Sequence, residues 1–222
     1  MGRELIITND GSHSIFDSRI NESYHSKHGA IVEAEHVFIR NGFSAVKKEK
    51  IKILEVGFGT GLNALLTYQK ATQKSVEVNY HTMELYPIDR KYYMHLNFTN
   101  LIGLNQEELL KLHNANWGRR TKISPYFTLR KNHISLENYN TNLKFDIIYF
   151  DAFSPEKQPE LWEKSIFQKM NRLLEDDGFL VTYCAKGIVK RTMKSVGFEI
   201  IVLDGPPGKR QMTRANKYAI EK

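Results

Sequence analysis

Four apolar runs in this sequence end in residues that can do chemistry. Glu55 lies in IKILEVGFGTGLN, Glu84 follows VEVNYHTM, Asn132-His133 lie at the exit of FTLR, and Asp151 follows KFDIIYF. Short apolar runs rich in β-branched and aromatic residues read as buried strands. Glu55 stands before a tight turn, Gly57, Gly59 and Gly61, and an apolar helical stripe of Leu62, Leu65 and Leu66 follows. Strand, glycine turn and helix present backbone N–H groups and a helix N-terminus to a ligand at the strand's C-terminal edge. Glycines in such a turn can also serve the backbone alone. The acid beside the turn disfavours a phosphate, and Gly-x-Gly-x-Gly is not the Gly-x-Gly-x-x-Gly spacing of a dinucleotide site.

Glu84, about 25 residues past the turn, is placed to accept both hydroxyls of a ribose; it could instead cap the next helix. No Gly-Lys-Ser/Thr occurs, so a P-loop for triphosphates is excluded. These features fit S-adenosylmethionine, with Asn132 and His133 at the adenine edge. Asp151 then stands where a transferred methyl group should point. Methylation of an amine needs a neutral nitrogen lone pair held in line, and a carboxylate can take up the amine proton. Asp151 suits that role, with Phe153, Ser154 and Pro155 shaping the pocket beside it; its alternative is a helix cap.

These side chains must be positioned by a sheet. Strands are expected at 51–56, 76–83, 127–130, 144–150, 179–185, 198–203 and 216–220, with helices at 60–72, 87–98, 106–113, 159–174 and 186–196. Such alternation predicts an α/β fold, an open and mostly parallel seven-stranded sheet with helices on both faces. The last two strands, joined by a Pro-Pro-Gly loop, should be antiparallel. Residues 51–222 form this domain, and residues 99–125, which fit no β-α unit, read as an insertion. Residues 1–50 read as an appendage: a hairpin turning at Asn9-Asp10-Gly11, then a helix through Phe38. Its Tyr24-His25-Ser26 segment should face substrate or cofactor. His25, His28 and His36 with Glu33 and Glu35 lack a second compact ligand pair, so no metal is expected.

The 222 residues carry a net charge of +7, and nine Lys/Arg against three acids between Tyr183 and Lys222 supply +6 of it. A basic end on a near-neutral body points to a polyanion such as RNA or DNA. One cysteine, Cys184, excludes an internal disulfide and a multi-cysteine zinc site. No apolar run approaches the roughly 18–20 residues of a membrane span. No signal peptide is recognisable, so the chain reads as cytoplasmic and without a membrane partner.

LEVGFGTGLN, Glu84 in MELYP, FDIIYFDAFSPEKQPELW, DDGFLVTYCAKGIVKRTMKSVGF and GPPGKRQMTRA together resemble the methyltransferase domain of the MnmC-type tRNA-modifying enzymes. YHSKHGAIVEAEHVFI resembles that family's leading segment. The resemblance implies a class I, Rossmann-like methyltransferase. It would use S-adenosyl-L-methionine to methylate the 5-aminomethyl group of a tRNA wobble uridine, usually in its 2-thio form. Glu55, Gly57, Gly59, Gly61 and Glu84 match its cofactor positions, with Phe58, Thr60 and Asn63 in the same turn, and Asp151 matches the catalytic one. His133 departs from the acid common at the adenine side. The family's larger members also carry a flavin-dependent oxidase domain, for which 222 residues leave no room. The chain is therefore expected to receive its aminomethyl substrate from another enzyme. Lys186, Lys190, Arg191, Lys209, Arg210 and Arg214 are expected to hold tRNA phosphates near the anticodon. A methyltransferase of this fold acting on another amine, or a non-catalytic RNA-binding module, are the alternatives.

Overall fold

The computed structural model describes residues 2–218. Arg3–Ile7 (β1) and His13–Asp17 (β2) pair antiparallel around Thr8–Ser12, and Glu22–Ser23 (β3) adds a short third strand. The turn closes as the sequence indicates: Gly11, at φ +81°, donates its N–H to the Thr8 carbonyl. Ala30–Ala34 (α1) continues as a π-helical turn over Glu35–Arg40 and stops before Gly42.

Lys50–Val56 (β4) and Glu77–Met83 (β5) flank the helix Leu62–Lys74 (α2). Arg90–Tyr93 (α3), Phe98–Ile102 (α4) and Gln106–Asn114 (α5) then lead to Arg120–Ser124 (β6) and Phe127–Asn132 (β7). Phe145–Phe150 (β8), Lys164–Leu173 (α6), Leu174–Thr182 (β9) and Gly187–Lys194 (α7) follow. The antiparallel pair Phe198–Asp204 (β10) and Gln211–Lys217 (β11) closes the described chain.

These strands form one eight-stranded sheet in the order β10-β11-β9-β8-β4-β5-β7-β6. Its five central strands are mutually parallel. Alternate side chains of each strand enter separate cores. Ile53, Tyr80, Leu129 and Tyr149 pack under α1, α2 and α5, while Leu54, Ile148, Phe150 and Leu180 pack under α6 and α7. Ile15, Ala30, Ala34 and Val37 from the first fifty residues join the former core.

The sheet differs from expectation by one strand. β6 lies within residues 99–125 and pairs antiparallel with β7 at the sheet edge. Its sequence, RTKIS, lacks an apolar face because a charged edge strand need bury none. The helix expected over 87–98 is broken into α3 and α4. Asn97 sits between them: its Nδ2 donates to the Gly11 carbonyl (2.9 Å) and its Oδ1 accepts from the His13 N–H (2.8 Å), tying the break to the N-terminal hairpin. The last strand begins at Gln211 rather than 216, and positions 219–220 of the expected strand lie outside the described residues. Among the described residues no helix is long and apolar enough to cross a membrane.

Candidate active site

The chain leaves β4 towards β5 on one side and returns to β8 on the other. At such a switch the strand ends diverge and leave a crevice. A cavity of about 880 Å³ occupies it, lined by residues that follow β4, β5 and β8 and by the segment 17–28. Gly57, at φ +90°, lies so close to the loop after β8 that a Cβ there would stand 2.8 Å from the Asp151 carbonyl oxygen. Only glycine fits, and the close approach brings the two loops together.

Glu84 is held on the cavity wall by two backbone donors. Gly59 N–H reaches Oε2 at 3.0 Å and Tyr86 N–H reaches Oε1 at 2.8 Å. Carboxylate lone pairs remain for a diol. Asn63, one position into α2, donates from Nδ2 to Asp151 Oδ2 at 2.8 Å. Burial pushes the Asp151 carboxyl up to about 7, against the lowering effect of the Asn63 bond; nearby Glu33 raises it and Lys209 lowers it. Glu55 is wholly buried behind the wall, not on it. Its two oxygens and Asn63 Oδ1 have no hydrogen-bond partner among the described residues. Burial holds the Glu55 carboxyl up at about 8, with Asp151 adding to the rise.

The appendage closes the opposite side. The Tyr24 ring meets Phe153 edge-on, with centroids 5.1 Å apart, and both line the cavity. Tyr24 also packs over Gly59, where a Cβ would stand 3.1 Å from its ring. His25 is half-buried, shares a 2.7 Å hydrogen bond with the Thr60 hydroxyl, and is held neutral by desolvation, which lowers it to about 4. The loop bearing Phe153 is tied down twice: its N–H donates to Gln158 Oε1 (3.1 Å) and its carbonyl accepts from Trp162 Nε1 (2.8 Å). Ser154 lines the cavity, whereas Pro155 does not reach it.

Several expected residues stand elsewhere. Asn132 Nδ2 donates to the Thr82 carbonyl (3.0 Å), and His133 Nε2 bonds the Leu85 carbonyl (3.1 Å); neither lines the cavity. β7 runs two residues further than the apolar pattern suggests, so Ile134, Ser135 and Leu136 form that wall. Gly61 likewise sits behind it. Lys209 points inward, paired with Glu33 and lying 3.9 Å from the centroid of the Tyr183 ring. Lys186 pairs with Glu156, and Arg214 lies half-buried over Phe179 (3.8 Å). Lys190, Arg191 and Arg210 have no ion-pair partner among the described residues, and Arg191 and Arg210 are exposed. Sequence reasoning missed Ile134, Leu136, Tyr183 and Glu33; the apolar pair Ile134 and Leu136 just past a strand end was the available signal for the first two. Among the described residues no group of His, Cys, Asp or Glu is placed to hold a metal.

The arrangement fits S-adenosyl-L-methionine. Gly57 and Gly59 line the cavity with backbone alone, Glu84 offers a held carboxylate, and Ile134 and Leu136 offer an apolar wall.

A sequence model of the S-adenosyl-L-methionine-dependent methyltransferase family matches residues 118–218. Similar relatives include the tRNA 5-methylaminomethyl-2-thiouridine biosynthesis bifunctional protein MnmC of Cupriavidus metallidurans, 31% identical over 96% of this chain and 33% of that protein. The protein of the same name from an Azoarcus species is 28% identical over 90% of this chain and 33% of its own length. The chain thus spans about a third of these relatives. The crystal structure of MnmC2 from Aquifex aeolicus superposes with a TM-score of 0.79 at 24% identity, covering 98% of this chain and 71% of that one, and shows the same fold. Over residues 118–218 the chain thus matches the S-adenosyl-L-methionine-dependent methyltransferase family model, over nearly its whole length it is similar to about a third of the MnmC proteins, and it shares the fold of MnmC2.

Proposed function

We propose that the chain methylates the 5-aminomethyl group of a tRNA wobble uridine, in the 2-thio nucleoside or its oxygen counterpart, to give 5-methylaminomethyl-uridine. One observation carries this reading: a half-buried carboxylate, Asp151, is oriented by Asn63 in a cavity walled by Tyr24 and Phe153. That is an acceptor for an amine proton beside aromatic surfaces that can flank a base. The names of the relatives, 5-methylaminomethyl-2-thiouridine biosynthesis proteins, supply the nucleoside.

S-adenosyl-L-methionine, when bound, supplies a methyl carbon whose S–C bond breaks as the amine nitrogen bonds to it. Glu84 and the Gly57–Gly61 turn hold its ribose and amino-acid portions. Asp151 accepts a hydrogen bond from the aminomethyl nitrogen and takes up its proton, leaving the lone pair free to attack. Phe153, fixed by Gln158 and Trp162, keeps the amine in line and water out. Arg210, Lys190 and Arg191 contact tRNA phosphates outside the cavity. The aminomethyl group is made beforehand by another enzyme or domain, where tRNA matures in the cytoplasm.

The test is incubation with methyl-labelled S-adenosyl-L-methionine and undermodified tRNA, followed by digestion to nucleosides. Label in 5-methylaminomethyl-uridine supports the proposal. Label in any other nucleoside, or none despite cofactor binding, refutes it.

A further inference from the structure

The glycine turn is gripped from two sides at one residue, Thr60. On one side the Thr60 hydroxyl bonds His25 of the appendage at 2.7 Å. On the other, His113 Nε2 lies 2.9 Å from the Thr60 carbonyl oxygen. A carbonyl only accepts, so this nitrogen carries the proton. His113 belongs to α5, in the stretch 99–125, none of whose residues lines the cavity.

The surroundings of His113 hold it rigidly. Its ring stacks on Tyr93 with centroids 4.1 Å apart and 9° between planes, and meets Phe58 of the turn edge-on at 5.1 Å. Its own carbonyl accepts from Lys131 Nζ, whose ammonium lies 4.6 Å from the Trp117 ring centroid and 5.2 Å from that of Phe58. Lys131 is 1% exposed. A lysine so deeply buried needs compensation, and here one carbonyl and two aromatic faces supply it. Gly61 completes the fit: a Cβ there would lie 3.0 Å from His113 Nε2. The turn's last glycine therefore serves the approach of this ring rather than the cavity.

We propose that residues 99–125 act as a brace for the cofactor turn, with His113 as the positioning residue that sets the Thr60–Gly61 peptide and hence the N–H groups opening α2. Those first-turn N–H groups have no partners within the helix and are the donors available to a ligand. A turn held before binding loses less freedom on binding. This inference rests on the methyltransferase assignment, not on the tRNA substrate.

The test is a series of His113 variants read by calorimetric binding of S-adenosyl-L-methionine and by melting temperature. A glutamine amide reaches the place of Nε2 and can donate to the carbonyl, whereas an asparagine amide is too short. His113→Gln should keep affinity within about twofold of wild type, while His113→Asn and His113→Leu lose ~10-fold, the value of one hydrogen bond. Should His113→Leu not fold, the Gln and Asn pair decides alone. Equal affinity across the folded variants overturns the proposal, as does equal loss in Gln and Asn. Failure of the wild-type protein to bind at all contradicts the methyltransferase assignment, and the brace falls with it.

Discussion

Asn63 Nδ2 and Asp151 Oδ2 are 2.8 Å apart, joining the start of α2 to the loop after β8. The amide both aims the carboxylate and stabilises its charge, opposing the burial that raises its pKa. The cofactor turn and the proposed proton acceptor are thus parts of one hydrogen-bonded unit. Displacement of one loop is felt at the other.

The first consequence is a pH profile. Asp151 must be ionised to accept a proton, and burial holds it at about 7 in the free protein. kcat/KM is therefore expected to rise with pH to about 7 and then level. Two cationic groups bind beside it in the reacting complex, which favours the carboxylate, so the corresponding limb in kcat lies at lower pH. Asp151→Asn should abolish both limbs. An unchanged limb in that variant contradicts the assignment.

A second prediction concerns stability. Glu55 has its carboxyl raised by burial from 4.5 to about 8. Between those values the unfolded chain's carboxylate is ionised while the native one stays protonated, so its contribution falls as pH rises and is constant above about 8. Glutamine imitates the protonated form. Glu55→Gln should therefore gain stability at pH 8.5 relative to pH 5, narrowing the drop in Tm by ~3 °C or more. Parallel Tm curves for both proteins across that range contradict the burial argument.

The sequence revealed the parts whose chemistry is local and concealed those made by distant pairing. Glu84 and Asp151 were readable because each directly follows an apolar run. The eighth strand was not, since an edge such as Arg120–Ser124 needs no apolar face. Asn132 and His133 were assigned to the adenine side, but their side chains bond the Thr82 and Leu85 carbonyls, and the wall moves on to Ile134 and Leu136. Lys209 reads as one more surface cation, and only the fold shows Glu33, 176 residues away in sequence, drawing it inward. The basic excess of the last forty residues is therefore partly internal.

The remaining exposed cations lead to a third prediction. Arg210→Ala should weaken tRNA binding and reduce the slope of log affinity against log salt by ~1, while leaving S-adenosyl-L-methionine affinity unchanged. A salt slope equal to that of the wild type removes Arg210 from the RNA contact.

The central claim is amine methylation assisted by Asp151. It is tested most directly by assaying wild type and Asp151→Asn on one tRNA, prepared with and without the 5-aminomethyl group, and quantifying the nucleosides released. 5-Methylaminomethyl-uridine is expected only from the aminomethyl tRNA, with the variant forming it more slowly than wild type by roughly 10²-fold or more. Equal turnover by the variant, or methylation of the tRNA that lacks the amine, would contradict it.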